Sequence, residues 1–99
     1  MMKIFLSLPF SGRTKEEVIQ DIENAKELIS TKYPDQDLEF IHNYDYEGVN
    51  RVECLGEAIK KMATCDKVYL INDWFSHKGC IIEKTVCELY DLHFYTIRV

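Results

Sequence analysis

Two prolines and four glycines in 99 residues leave little for long irregular segments, and no repeat or low-complexity tract is present. No apolar run approaches the ~20 residues that a membrane-spanning helix needs. The four cysteines, Cys54, Cys65, Cys80 and Cys87, form no CxxC and have no histidine at zinc-ligand spacing. They read as buried, reduced thiols of a cytoplasmic protein, and neither a metal nor a cofactor is expected. Basic residues are also in deficit, with 12 Lys and Arg against 17 Asp and Glu and a net charge of −5. A nucleic-acid polymer is therefore a poor partner, because binding to a phosphate backbone rests on clustered Lys and Arg. Neither a Walker A sequence nor a GxGxxG fingerprint occurs. Lys3 precedes an apolar run, but that run is only Ile4 to Leu8 and no small-residue cleavage site follows, so Met1–Phe10 reads as a strand rather than a leader.

What is present is a regular alternation. Apolar residues make up 46% of the chain and charged residues 29%, ordinary proportions for one globular domain over residues 1–99. Strands are expected at Lys3–Leu8, Leu38–Ile41, Lys67–Ile71 and His93–Ile97. Thr14 with Glu17 forms a capping box for a helix reaching about Ile29, whose apolar stripe is Val18, Ile22, Ala25 and Ile29. Asn50 with Glu53 caps a second helix, with Val52, Leu55, Ile59 and Met62 inward. A third runs from Lys78 to Tyr90, with Ile82, Val86 and Leu89 inward. The order βαβαβαβ predicts a parallel sheet with right-handed crossovers, a three-layer α/β fold of strand order 2-1-3-4. In such a sheet ligands bind outside the carboxyl ends of the strands where the winding reverses, here between the first and third strands.

The two loops at that place are also the most unusual in composition. Ser7, Leu8, Pro9, Phe10, Ser11, Gly12 and Arg13 combine hydroxyls, a glycine and a guanidinium before a helix, either an anion cradle or an ordinary turn with a surface arginine. Asn72, Asp73, Trp74, Phe75, Ser76, His77, Lys78 and Gly79 lead into the third helix. Trp74 and Phe75 either stack on a planar ligand or pack on a second subunit. His77 is a proton shuttle or a solvated loop residue. Glu83, early in the third helix, is a nucleophile or base favoured by the helix dipole, or a surface residue that complements that dipole. Gly79 permits close approach of a ligand or only a turn. His42, Asn43, Tyr44, Asp45 and Tyr46 form an outer wall or a polar loop.

The segments KIFLSLPFSGR and VYLINDWFSHKG, followed by Glu83, resemble the nucleoside 2-deoxyribosyltransferase superfamily, in particular its short bacterial and phage branch, with a P-[FM]-[ST]-G loop and a later W-x-x-S-x-G-x-x-x-E. About twenty positions carry the likeness. The resemblance implies a flavodoxin-like, Rossmann-like fold and cleavage or transfer at an N-glycosidic bond. Glu83 would attack the anomeric carbon and Gly79 would stand at the motif glycine. Ser7, Pro9, Phe10, Ser11, Gly12 and Arg13 would hold the sugar or its 5′-phosphate, and Asp73, Trp74, Ser76 and His77 would border the ligand. The chain departs from the motif in two places. Ser76 stands seven positions before Glu83, with His77 at the sixth, and Phe5 replaces a strand-one tyrosine that orients the carboxylate.

The expected function is thus a nucleoside or nucleoside 5′-monophosphate N-glycosidase or deoxyribosyltransferase, in a bacterial cytoplasm or a phage-infected host. The partners expected are a small nucleoside or nucleotide and further copies of the chain, as a homodimer or higher oligomer, with no membrane. Two alternatives stand beside it: a module that binds a nucleotide without turnover, and a purely structural α/β dimer.

Overall fold

Local sequence signals account for each element. A computed structural model describes all residues, 1–99. It contains β1 (Met2–Ser7), α1 (Lys15–Lys32), β2 (Leu38–Ile41), α2 (Arg51–Ala63), β3 (Lys67–Ile71), α3 (Lys78–Leu89) and β4 (Phe94–Ile97), with a single 3-10 turn at Trp74–Ser76 before α3. The Thr14 capping box forms, Thr14 Oγ1 accepting from the Glu17 N–H while the Glu17 carboxylate accepts from the Thr14 N–H. The Asn50 side chain caps α2 by accepting from the Glu53 N–H. Each cap satisfies donors that a helix end otherwise leaves unpaired.

All strand pairs are parallel and the order is β2-β1-β3-β4, as the alternation predicts. The fold is flavodoxin-like, with the sheet between two helical layers. Alternation along the strands divides the core in two. Ile4, Leu6, Tyr69 and Ile71 point to one face and pack with Val18, Ile22, Ala25 and Ile29 of α1. Phe5 and Val68 point to the other and pack with Ala58 and Met62 of α2 and Cys87 of α3. The stripe expected for α1 is therefore the one buried.

The other two helices depart from expectation to different degrees. In α2 Met62 is buried and Ile59 packs on the core as expected, Ala58 is buried as well, and only Val52, 78% exposed, falls outside. In α3 the buried residues are Cys80, Glu83 and Cys87, whereas Ile82 and Leu89, expected inward, are exposed and Val86 is half-buried. The inner face of α3 thus carries the more polar set of residues. Its phase matches the tether between Glu83 and β1 described below. No helix is long and apolar enough to cross a membrane, and all four cysteines are unpaired.

Candidate functional site

Ser7 is the last residue of β1 and lies on the same face as Phe5, two positions earlier. That face looks at α3. The Ser7 hydroxyl donates to Glu83 Oε1 at 2.5 Å, a short charge-assisted bond joining two residues 76 positions apart in sequence. Glu83 is only 8% exposed. Burial raises its carboxyl pKa to about 7, while the Ser7 bond favours the ionised form and offsets part of that rise. Near neutral pH the group is divided between acid and carboxylate, the range in which a side chain can act as either. The neighbouring Cys80 thiol is pushed up to about 12 by burial and stays protonated and inert.

The second carboxylate oxygen, Oε2, is differently placed. Every fully enclosed side-chain oxygen or nitrogen in the protein has a hydrogen-bond partner, and Ser7 bonds only Oε1. Oε2, which has none, is therefore not completely enclosed, although the residue as a whole is only 8% exposed. One oxygen is anchored and the other is unpaired. Gly79 lies one turn earlier on α3, where an added Cβ would meet nothing within 4 Å. The fold does not require glycine here, and in a helix glycine costs roughly 1 kcal/mol relative to alanine. α3 also starts differently from α1 and α2. No side chain caps it, so its first N–H groups face solvent or a ligand.

The first loop folds as a tight turn in which the Arg13 N–H donates to the Phe10 carbonyl at 3.1 Å, with Gly12 at φ +76°. A left-handed residue in that position explains the glycine. Ser11 and Gly12 are exposed, and neither bonds Glu83. Arg13 turns inward instead. Its Nη1 donates to the Pro9 carbonyl at 3.0 Å and to Asp21 Oδ2 at 2.5 Å, with side chains 26% and 11% exposed. Asn72, held left-handed at φ 51° after β3, donates to the same Asp21 oxygen at 3.3 Å and accepts from the Val99 N–H at 2.7 Å. The two loops are thereby joined through Asp21. Of the outer wall, Tyr44 packs edge-on against Phe10, ring centroids 5.4 Å apart, and His42 is half-buried with its pKa lowered by burial.

The remaining loop residues form a separate group. Asp73 accepts from Arg98 Nη2 at 3.0 Å, and Trp74 and Phe75 meet edge to face at 5.8 Å. Lys84 lies over the Trp74 ring at 5.6 Å. With Asn72, Thr96, Ile97 and Arg98 the two aromatics line an open groove of about 240 Å³ that Glu83 does not reach. Ser76 is exposed, and His77 is the residue before α3, its Nδ1 facing the Asp73 carbonyl at 3.2 Å. The structure therefore unites Ser7 and Glu83 and leaves Gly79 open a turn away. It ties Pro9 and Arg13 into a loop brace, and sets Asp73, Trp74 and Phe75 around the groove.

Sequence reasoning missed Asp21 and Arg98, and it named Asn72 only as part of its loop. Asp21 interrupts the apolar stripe of α1 between Val18 and Ile22, a charge on a buried face that signals a partner. Asn72 directly follows a strand, where asparagine often marks a left-handed residue. Arg98 carried no signal of its own. Against family models and curated proteins, the chain gives no significant match.

Proposed function

We propose that the protein acts on the N-glycosidic bond of a nucleoside or nucleoside 5′-monophosphate, as a hydrolase or a deoxyribosyltransferase, with Glu83 as nucleophile. The observation that carries this reading is the Glu83 carboxylate, buried at the carboxyl end of β1, with Oε1 held by Ser7 and Oε2 unpaired. In its ionised form Oε2 attacks the anomeric carbon while the bond to the base breaks, and the base departs with the bonding pair. The glycosyl ester so formed is resolved by water or by a second base. An oxocarbenium-like transition state calls for a carboxylate at that place, as in retaining glycosidases. Ser7 takes the part of an orienting hydroxyl, while Phe5, 1% exposed, lies in the core beneath it. Gly79 gives the sugar room against α3. Arg13, paired to Asp21, stabilises the first loop. A 5′-phosphate is then left to the backbone N–H groups at the start of α3.

Deoxynucleosides and their 5′-monophosphates, incubated with the protein and assayed for free base by chromatography, test the reading. Base release by the wild type, lost in a folded Glu83→Ala variant, is expected. Release undiminished in that variant, or no release from any of the substrates, refutes it. A second reading, binding without turnover, is favoured by the rise of the Glu83 pKa to about 7, which keeps much of the nucleophile protonated at neutral pH. Calorimetry showing a stable complex with an intact nucleotide, together with absence of base release, separates it from the first.

A further inference from the structure

Asp21 stands on the buried face of α1, between Val18 and Ile22, and is only 8% exposed. An apolar residue would continue the stripe there without the cost of taking a charge out of water. The attraction within a largely buried ion pair does little more than offset that cost, and a well-packed apolar pair is often as stable. Stability of the fold therefore does not account for the acid.

Its contacts do. Asp21 Oδ2 accepts from Arg13 Nη1 at 2.5 Å and from Asn72 Nδ2 at 3.3 Å, so one oxygen serves two segments that lie far apart in sequence. The same guanidinium nitrogen donates to the Pro9 carbonyl at 3.0 Å, and Asn72 Oδ1 accepts from the Val99 N–H at 2.7 Å. Asn72 is held at φ 51°, a conformation that residues other than glycine seldom keep unless their surroundings fix it. The segment ending at Arg13 starts from Ser7, the anchor of Glu83, and the segment opened by Asn72 leads to Gly79 and Glu83 on α3. We propose that Asp21 is a positioning residue for the reaction at Glu83, acting through Arg13 and Asn72 to set these two segments relative to each other. This role rests on the glycosidic reading of Glu83.

Two sets of variants test it. Arg13→Met combined with Asp21→Leu replaces the ion pair by apolar side chains, and Asn72→Gly keeps the left-handed backbone while removing the side-chain tie. Urea unfolding reports on the fold, and steady-state base release from the deoxynucleoside or 5′-monophosphate that the wild type turns over reports on the reaction. The urea midpoint of the double variant is expected near that of the wild type and above that of Arg13→Met alone, which strands a buried carboxylate. Its kcat is expected to fall about 10- to 100-fold with KM changed by less than about 3-fold, because misplaced groups cost the transition state more than the bound substrate. Asn72→Gly should lower kcat in the wild type and clearly less in the double variant, where its partner is already gone. Undiminished kcat in the folded double variant overturns the role of Asp21, as does an equal loss from Asn72→Gly in both backgrounds. A double variant that unfolds as readily as Arg13→Met overturns it too, since the pair then serves the fold. No base release by the wild type overturns the reading of Glu83 and this role with it.

Discussion

Replacing Glu83 by glutamine should stabilise the protein, increasingly so as pH rises. Burial moves the Glu83 carboxyl from its ordinary 4.5 to about 7. The folded state therefore holds this proton more tightly than the unfolded chain between those values. Stability from this group is fully present below about pH 4.5, declines through the interval and is flat above about pH 7. The difference amounts to about 3 kcal/mol at pH 8. Glutamine mimics the protonated acid: its amide oxygen can still accept from Ser7, and its nitrogen takes the place of Oε2, which is unpaired and not completely enclosed. The variant should thus match the wild type near pH 4 and exceed it by about 3 kcal/mol at pH 8. Urea unfolding followed by circular dichroism from pH 4 to 8 measures this. With a slope of roughly 1–1.5 kcal/mol per molar, the midpoints should separate by about 2–3 M at the upper end. Equal pH dependence in the two proteins would refute the assignment of Glu83 as a buried, strained carboxylate.

Ser7→Ala removes the bond that favours ionised Glu83, so the carboxyl pKa should rise further and the ascending limb of any pH–rate profile should move to higher pH. Arg13→Ala leaves the Asp21 carboxylate largely buried with only Asn72 beside it, and should cost about 1–3 kcal/mol of stability in urea unfolding. Gly12→Ala places a side chain at φ +76° and should lower stability by about 1 kcal/mol in the same assay. Gly79→Ala should do the opposite, gaining up to about 1 kcal/mol while reducing base release, because the freed space belongs to the ligand. Unchanged turnover in that variant would remove Gly79 from the site.

The strand order and the face of α1 were legible in the sequence because short-range signals there agree: caps, apolar spacing and strand alternation all point the same way. The phase of α3 was not, and in α2 the stripe was legible except at its start, where Val52 is exposed. In α3 two stripes compete, an aliphatic one through Ile82 and Leu89 and a less apolar one through Cys80, Glu83 and Cys87, and spacing alone favours the first. A bond from β1 across 76 residues accompanies the second. That bond was not readable locally, although each end of it, Ser7 and Glu83, was singled out by its place near a strand end or a helix start. Arg13 shows the converse. Its loop position suggests an exposed cation, and only the fold brings Asp21 beneath it.

Asp21 receives Arg13 from one loop and Asn72 from the other, while Asn72 also holds the last residue of the chain. The first loop and the loop after β3 are thereby bolted to α1 through a single carboxylate. Loss of that one side chain frees both loops at once, so a substitution at Asp21 is expected to loosen the two segments together rather than one of them.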